Sequence, residues 1–320
     1  MNKNAAILVA GHTGLIGSAV TRLLQAQGYA NLLLPTRREL ELSDAAAVAT
    51  YFARHRPEYL VLAAGESGGI QRNQHFPADL MRPNLAIQAA VLEAAHTHGI
   101  KRTIFFASSC MYPKVCAQPM AEESLYSGHP EPTSIAYATA KMAGLQLCLA
   151  YNRQYGETRF IPVIPNSVYG PNDDFDPASG HVLSALLQRF HAASAAASRE
   201  VTLWGSGTPR REFLHADDLA EACLVLLDET LATPALPINI GPGTDVSIRE
   251  LAEIIAEVTG FAGQIVWDRD KPDGAPRKLL DSSRMRALGW TPRRSLQQGI
   301  QDLYDWYRQQ PAHSSRKQPS

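Results

Sequence analysis

The sequence of 320 residues has no excess of either charge, no long apolar run and few cysteines. Lysine and arginine together number 30 against 31 aspartates and glutamates, so no net positive field attracts nucleic acid or an anionic membrane. No apolar stretch approaches the roughly 18 residues that cross a bilayer, and Ala5–Ala10 is too short for a secretory signal. We therefore expect a cytoplasmic protein that binds neither nucleic acid nor membrane.

The four cysteines are scattered along the chain and form no C-x-x-C pair. Cys110, Cys116, Cys148 and Cys223 thus predict neither a disulfide framework nor a zinc site, and we expect four free thiols and no metal. The remaining composition, 45% hydrophobic and 19% charged, is typical of a globular protein with a substantial core.

Apolar, strand-like runs alternate with helical segments. The predicted strands are 5–10, 32–35, 59–64, 103–107, 159–165 and 238–240, and the predicted helices are 15–27, 44–55, 84–98, 136–155 and 217–227. This alternation predicts an α/β fold of the Rossmann type, a doubly wound parallel sheet covered by helices on both faces.

Two stretches, 171–205 and 246–306, interrupt the alternation, and we interpret them as a smaller, discontinuous second lobe. The predicted division is a cofactor-binding domain of residues 1–170 plus about 210–245, and a substrate-binding lobe of about 171–209 plus 246–310. Residues 311–320 lack apolar periodicity and are predicted to be a flexible tail.

Three glycines follow the first predicted strand at intervals of three and open the first predicted helix. Such glycines permit a tight turn, a close approach of backbone to a pyrophosphate and close helix packing, with the phosphates at the helix N-terminus. We predict a dinucleotide site here rather than a simple tight turn. Its residues are Gly11, Thr13, Gly14, Leu15, Ile16 and Gly17, with Ala63 and Ala64 after the third strand.

The second predicted strand is followed by Arg37 and Arg38, whereas NAD sites usually have an acidic residue there to bind the ribose hydroxyls. A guanidinium suits a 2′-phosphate, so the pair favours NADPH, with Arg37 the stronger candidate. The alternative is a solvated basic turn, because surface arginines are common.

Tyr137 and Lys141 are four residues apart, so both side chains lie on one face of a predicted helix. The lysine ammonium is expected to lower the pKa of the phenol and to reach the cofactor ribose, while the tyrosine donates a proton to a carbonyl oxygen. Ser108 follows a predicted strand and is placed to bind the same oxygen. The tyrosine–lysine spacing alone is weak evidence, but its position after Ser108 strengthens it.

Several longer strings point to one family. They are SSCMYPK (108–114), EPT (131–133), YNRQYG (151–156), YGPND (169–173), HV (181–182), WGSGTPRREF (204–213), KPDG (271–274) and PRKLLD (276–281). With these strings the chain resembles the extended short-chain dehydrogenase/reductases, and within them the GDP-L-fucose synthase subfamily, the 3,5-epimerase-4-reductases of GDP-4-keto-6-deoxy-mannose. The resemblance extends from Ala6 to about Tyr307.

The resemblance implies an NADPH-dependent enzyme in which Ser108, Tyr137 and Lys141 form the reductase triad and Cys110 and His181 perform the epimerisation. It further implies a GDP-sugar substrate and a homodimer built by helix packing. The implied substrate-binding residues are Ser108, Arg189, Arg211 and Lys271, to which we add Asn166 and Trp204. A tryptophan is more often a core residue than a platform for a base, so Trp204 is the weakest of these.

The chain departs from the subfamily at contact positions. Gly65-Glu66-Ser67 stands where the family has lysine-valine in a loop one residue shorter, a change of about two charge units at the expected active site. Thr13 replaces an arginine, and Ser167 replaces an asparagine, so either Asn166 takes over the contacts of that asparagine or the pocket is reshaped. The sugar is therefore a hexose or a heptose, made for a surface polysaccharide or glycan.

Other activities remain open. A reductase without epimerase activity and a nucleotide-sugar 4-epimerase both retain the tyrosine and lysine. A 4,6-dehydratase is disfavoured because Cys110-Met111 stands where it needs an acidic pair. A non-catalytic NADP-sensing regulator is the least favoured, since it has no use for a proton donor.

Overall fold

The structure is a computed structural model that describes residues 1–177, 179–230, 236–271 and 273–310. The predicted tail 311–320 and Pro272 lie outside the described residues. Its strands, in chain order, are β1 (Ile7–Ala10), β2 (Leu32–Leu33), β3 (Tyr59–Leu62), β4 (Arg102–Phe106), β5 (Phe160–Pro165), β6 (Ser167–Tyr169), β7 (Glu200–Trp204), β8 (Arg210–Arg211), β9 (Phe213–His215), β10 (Ile238–Ile240), β11 (Val246–Ser247), β12 (Gln264–Asp268) and β13 (Arg277–Lys278).

The helices connect these strands and cover them. In chain order they are α1 (Leu15–Ala26), α2 (Ala45–His55), α3 (Ile70–His75), α4 (Pro77–Thr97), α5 (Ile135–Tyr155), α6 (Val182–Ala195), α7 (Ala216–Leu226), α8 (Ile248–Thr259), α9 (Ser283–Ala287) and α10 (Leu296–Gln309). Short 3₁₀ helices span Ser109–Met111, Glu122–Tyr126 and Pro132–Ser134. Among the described residues, no helix combines the length and apolar character needed to span a membrane.

The central sheet has six strands in the order β2-β1-β3-β4-β5-β10, and every neighbouring pair is parallel. The order reverses between β1 and β3, because the chain runs outward from β1 to β2 and then returns. This confirms the predicted doubly wound sheet. A crevice at the carboxyl ends of β1 and β3 is the usual ligand position in such a sheet.

The strands of this sheet are mostly apolar, as expected where both faces of a sheet are buried. Ile7 and Val9 point to one face, which α1 and α7 cover, whereas Leu8 and Ala10 point to the other, which α2, α4 and α5 cover. All four side chains are completely buried. This packing fixes the carboxyl ends of the strands as one edge.

A third apolar cluster lies outside the sheet. We call it the second-lobe cluster, and its main members are Leu187 and Phe190 of α6, Leu251 and Ile255 of α8, and Ile300, Leu303 and Tyr307 of α10. The parallel pair β7–β12 packs against these helices. The cluster falls within the residues predicted to form the second lobe, and the exact domain division stays a prediction.

The predicted start of the fourth helix was wrong. The helix α4 begins at Pro77, not near residue 84, with Pro83 inside it. Proline is well tolerated in the first turn, where Pro77 lies, because an amide hydrogen there has no partner within the helix. Pro83 misled the prediction because an internal proline usually ends or kinks a helix. The short helix α3 was not predicted.

Candidate active site

The turn from β1 to α1 is packed too tightly for side chains at two of its glycines. Gly11 has φ +84°, and a Cβ there would lie 2.7 Å from the Ala64 nitrogen. A Cβ on Gly17 would lie 2.1 Å from the carbonyl oxygen of Gly11. The turn therefore lies directly against Ala63 and Ala64 after β3, at the point where the strand order reverses.

Gly14 differs, because protein packing does not require a glycine there. A Cβ on Gly14 would meet one atom within 4 Å, the Gly11 oxygen at an ordinary 3.6 Å. Gly14 caps α1 without a side-chain hydrogen bond, and the first turn of α1 has no acidic residue. Open space before an uncapped helix N-terminus fits a pyrophosphate. A ligand in that space, and not the packing of the protein, would then account for a glycine at residue 14.

The basic turn after β2 lies at the surface. The Arg37 side chain is exposed and forms an ion pair with Glu41, at 2.9 Å. The hydrogen bond and charge of Glu41 raise the pKa of Arg37. Arg38 is also exposed. The guanidinium of Arg37 is thus placed where a 2′-phosphate could bind, although the Glu41 carboxylate already pairs with it.

Ser108, Cys110 and Tyr137 come together at the carboxyl end of β4. The Ser108 hydroxyl accepts a hydrogen bond from the Cys110 nitrogen at 3.2 Å and also hydrogen-bonds with the Tyr137 phenol. Burial raises the pKa of Tyr137, the nearby Cys110 raises it further, and the Ser108 hydrogen bond lowers it in part. The phenol is therefore protonated at neutral pH, the form that a proton donor needs.

Lys141 lies one helical turn below Tyr137 on α5, with its ammonium buried. Its Nζ donates to the carbonyl oxygen of Phe106 at 3.0 Å, and burial lowers the pKa of Lys141 to about 8. Nζ lies 5.9 Å from the centre of the Tyr137 ring. Burial raises the pKa of the phenol overall, and the lowering expected from this ammonium stays a prediction.

The loop 65–69 connects the lysine with the segment before α6. A Cβ on Gly65 would lie 3.4 Å from Lys141 Nζ and 2.6 Å from Asn84 Oδ1. At the other end of the loop, the Gly69 nitrogen donates to the Ser179 oxygen at 3.0 Å. This loop, which differs from the subfamily, therefore contacts both the lysine and the residues that precede His181.

Glu66 in that loop does not bring an unbalanced negative charge. Its carboxylate pairs with Arg72 of α3 at 2.8 Å, and Arg72 also donates to the Ser67 oxygen. The predicted change of about two charge units is therefore partly offset by a cation from α3. The role of Arg72 was not predicted, because it lies six residues after Glu66, and that spacing does not place two side chains together in a regular helix or strand.

His181 is the N-cap residue of α6, with 47% of its side chain exposed. Its Nδ1 lies 3.5 Å from a carboxylate oxygen of Asp173, which is itself buried. The hydrogen bond to Asp173, which accepts, raises the pKa of His181. Asp173 belongs to the YGPND string, but its relation to His181 was not predicted, since a loop places the two residues together.

Arg211 is a half-buried cation bonded to backbone. Its Nη1 donates to the carbonyl oxygens of Arg210 and Ala275, at 2.7 and 2.6 Å, and burial lowers its pKa. Among the ion pairs of the described residues, none involves Arg211. Arg189 on α6 donates to the Thr202 oxygen at 3.0 Å. A partly desolvated guanidinium without a carboxylate suits an anionic ligand.

Trp204 and Lys271 lie together at the ends of β7 and β12. The tryptophan is 60% exposed, and the Lys271 ammonium is 5.6 Å from the centre of its ring. Trp204, the weakest of the predicted substrate-binding residues, is therefore not a core residue. An exposed aromatic ring beside a cation is suited to stacking on a base.

Asn166 is 5% exposed, and protein atoms satisfy its amide. Its Oδ1 accepts from the Ser109 hydroxyl at 3.1 Å, and its Nδ2 donates to Glu212 at 3.0 Å and to the Lys278 oxygen at 3.1 Å. Contrary to our expectation, no amide hydrogen remains for a sugar, because an asparagine amide has two.

Comparisons with known proteins agree with this geometry. A model described as the NAD dependent epimerase/dehydratase family matches residues 7–241. GDP-L-fucose synthase 1 of Arabidopsis thaliana is 50% identical over 306 residues, which cover 96% of this chain and 94% of the plant protein. Two solved structures from Campylobacter jejuni cover 96% of this chain and are 99% covered in turn. One is a GDP-6-OMe-4-keto-L-xylo-heptose reductase (34% identity, TM-score 0.88), and the other is a GDP-mannoheptose C4 reductase with NADP bound (36%, 0.86).

Proposed function

This chain belongs to the NAD dependent epimerase/dehydratase family, and within it to the GDP-L-fucose synthase subfamily, and we propose that it reduces the 4-keto group of a GDP-4-keto-6-deoxy sugar with NADPH. The observation that supports this most strongly is the protonated phenol of Tyr137, hydrogen-bonded with Ser108 one helical turn from Lys141. The turn at Gly11, Gly14 and Gly17 and the surface residue Arg37 would hold the dinucleotide.

The reduction needs a hydride and a proton at one carbonyl group. NADPH held by the turn at Gly11, Gly14 and Gly17 would supply the hydride. Tyr137 gives its proton to the carbonyl oxygen, while the Ser108 hydroxyl holds that oxygen, so that the ketone becomes a secondary alcohol. Lys141, charged at neutral pH but close to its pKa of about 8, stabilises the phenolate that remains and allows the tyrosine to be reprotonated.

The GDP moiety is assigned to the second lobe. Arg211 and Arg189 are suited to the diphosphate, and Trp204 with Lys271 to the base or its ribose. Glu66 lies in the loop that contacts the lysine and pairs with Arg72 of α3, so we assign to this pair the choice between hexose and heptose. The similarity to a heptose reductase supports including heptoses.

Epimerisation at carbons 3 and 5 is the second half of the proposal. A 4-keto group acidifies the protons on both carbons, so a thiol and an imidazole could remove and return them. Cys110 lies close enough to Tyr137 to affect its pKa, and the pKa of His181 is raised, which favours its acid form. Reduction without epimerisation is the alternative.

We also propose a homodimer in the cytoplasm whose product enters a surface polysaccharide or glycan. All four cysteines are free, as suits a reducing compartment. The helices α4 and α5 present His96 stacked on Tyr155, with ring centres 4.1 Å apart and Tyr155 46% exposed. An exposed aromatic cluster on two adjacent helices suits packing against a second copy.

The function is tested by Tyr137→Phe. Loss of the proton donor should lower kcat for oxidation of NADPH by GDP-4-keto-6-deoxy-mannose at least about a hundredfold. Tyr126→Phe is the matched control, because Tyr126 is 63% exposed and should leave kcat unchanged. Near-normal turnover of Tyr137→Phe would contradict the assignment.

Epimerisation is tested by NMR of the product formed in heavy water from hexose and heptose substrates. Cys110→Ser should abolish deuterium entry at carbons 3 and 5 while sparing the reduction of an already epimerised sugar. If the unmodified protein introduces no deuterium there, it is a reductase only.

A further inference from the structure

A completely buried carboxylate, Glu212, lies between β8 and β9, in the part of the molecule where the sheet meets the second lobe. It accepts hydrogen bonds from Asn166 Nδ2 and the Leu280 nitrogen at 3.0 Å, and from the Gly243 nitrogen at 2.7 Å. Burial and the nearby Asp245 raise the pKa of Glu212, whereas the three hydrogen bonds lower it in part. All three partners are donors, so they favour the charged carboxylate against the effect of burial.

The backbone is shaped to admit this carboxylate. A Cβ on Gly241 would lie 2.5 Å from the carboxyl carbon and both carboxyl oxygens of Glu212. Any side chain at residue 241 would therefore displace the carboxylate from its three donors. Burying a charge without an ion pair is costly. The burial of Glu212 therefore indicates a role other than packing.

The hydrogen bonds continue from Glu212 to the turn that contains two proposed catalytic residues. Because both amide hydrogens of Asn166 are engaged, by Glu212 and by the Lys278 oxygen, its Oδ1 is held toward the Ser109 hydroxyl at 3.1 Å. Ser109 begins the 3₁₀ helix Ser109–Met111, directly between Ser108 and Cys110. The buried carboxylate thus restrains the turn through one amide.

The far side of this turn is also anchored, by the buried Met111 and by the Tyr112 hydroxyl, which donates to Asn239 Oδ1 at 2.7 Å. Its own backbone hydrogen bonds are Met111 N to Ser108 O, at 3.1 Å, and Tyr112 N to Ser109 O, at 3.3 Å. The Ser108 and Cys110 side chains must address neighbouring carbons of one sugar, and a misplacement of about 1 Å can reduce a rate a hundredfold. A short 3₁₀ helix has poor hydrogen-bond geometry and does not supply that accuracy alone.

We propose that Glu212, acting through Asn166 and Ser109, is a positioning residue that holds Ser108 and Cys110 in register with the substrate. The proposal rests on the proposed function. Glu212 also directly follows Arg211, the residue assigned to the diphosphate. Substrate binding at Arg211 and the placement of the catalytic turn therefore depend on one short segment.

The test changes the two side chains singly and together. Asn166→Asp puts a carboxylate opposite both the Glu212 carboxylate and the Lys278 oxygen. Glu212→Gln turns one amide NH2 toward a backbone nitrogen that donated to the carboxylate. Each single variant should lower kcat for reduction about tenfold or more, with KM for the sugar and Kd for NADPH within about threefold. Because both changes act through one hydrogen-bonded chain, the double variant should lose clearly less than the product of the two single losses.

Two further variants distinguish a loss of positioning from a general loss of folding stability. Ser109→Ala removes one hydroxyl and should lower kcat in the same way while the melting temperature stays near that of the unmodified protein. Asp218→Asn is the control, because Asp218 is equally buried but pairs with Arg294 on the α7 side. It should lower the melting temperature and leave kcat intact. A normal kcat in Ser109→Ala and Glu212→Gln, or single losses that simply multiply in the double variant, would overturn the proposal.

A readout without substrate separates this proposal from the proposed function. The rate of alkylation of Cys110 by iodoacetamide, followed by peptide mass spectrometry, should rise about threefold or more in Asn166→Asp, since a loosened turn exposes its thiol. Cys116, also half-buried, serves as the internal reference and should not change. An unchanged Cys110 rate would count against positioning even if no GDP-sugar were turned over.

Discussion

The buried lysine should make the stability of this protein increase with pH in the alkaline range. Burial lowers the pKa of Lys141 from 10.5 to about 8. Each tenfold change in a protonation equilibrium is worth about 1.4 kcal/mol, so keeping this lysine charged costs the folded state roughly 3 kcal/mol at neutral pH. The charged hydrogen bond from Nζ to the Phe106 oxygen returns about 1.5 to 3 kcal/mol.

Lys141→Met removes both contributions. At pH 7 they nearly cancel, so the variant should unfold with a free energy within about 1 kcal/mol of the unmodified protein. Above pH 8 the folded protein releases the lysine proton and the unfolded chain still holds it. Stability therefore rises with pH, because the unfolded state binds more protons. The unmodified protein should gain roughly 2 to 3 kcal/mol over Lys141→Met by about pH 10.

The measurement is urea denaturation of both proteins, followed by circular dichroism, at intervals between about pH 7 and about pH 10. Lys101→Met is the matched control, for which we expect a flat difference over this range. The hydrogen bond from Lys101 to Glu58 raises the pKa of Lys101, so its contribution is fully present below the unfolded pKa of 10.5 and is lost only above it. A difference between Lys141→Met and the unmodified protein that stays flat across this range would refute the reasoning.

Three further predictions concern the dinucleotide turn and His181. Gly14→Ala should raise Kd for NADPH about tenfold or more with little change in melting temperature, whereas Gly17→Ala should destabilise the fold by more than about 2 kcal/mol, because its Cβ would meet the Gly11 oxygen at 2.1 Å. Arg37→Ala should reduce the preference for NADPH over NADH about tenfold or more, measured as the ratio of the two kcat/KM values. The hydrogen bond to Asp173 raises the pKa of His181 above its unfolded value of about 6.5. The pair therefore stabilises the folded protein fully below about pH 6.5, and this stabilisation is lost as the pH rises through the raised pKa. Asp173→Asn should remove this dependence in urea titrations, and an unchanged dependence would show that the pair does not act.

The order of strands and helices was predictable because it follows from local patterns. Apolar runs, the glycine spacing at Gly11, Gly14 and Gly17, and the four-residue separation of Tyr137 and Lys141 are all readable within a few positions of each other. The boundaries of β10 and α5 agree with the prediction to within one residue. The start of α4 was missed because proline has opposite meanings in the first turn and in the middle of a helix.

The candidate site was only partly predictable, because its chemistry depends on burial and on partners distant in the chain. Asn166 is 46 residues from Glu212, and no periodicity relates them. Trp204 resembles a core residue in the sequence but is exposed at a strand end. The pairing of Glu66 with Arg72 through α3 likewise depends on a helix that was not predicted.

By itself, the sequence determined the family, the parallel sheet and the residue types available for reduction, since these depend on short-range periodicity and on strings that survive in linear order. Only the tertiary structure decided the protonation of Tyr137 and Lys141 and the restraint that Glu212 places on the Ser108 turn. The physical reason is that the free energy of a charge or a phenol depends on how much water surrounds it. Water is excluded from these groups by side chains that the fold brings from distant parts of the chain.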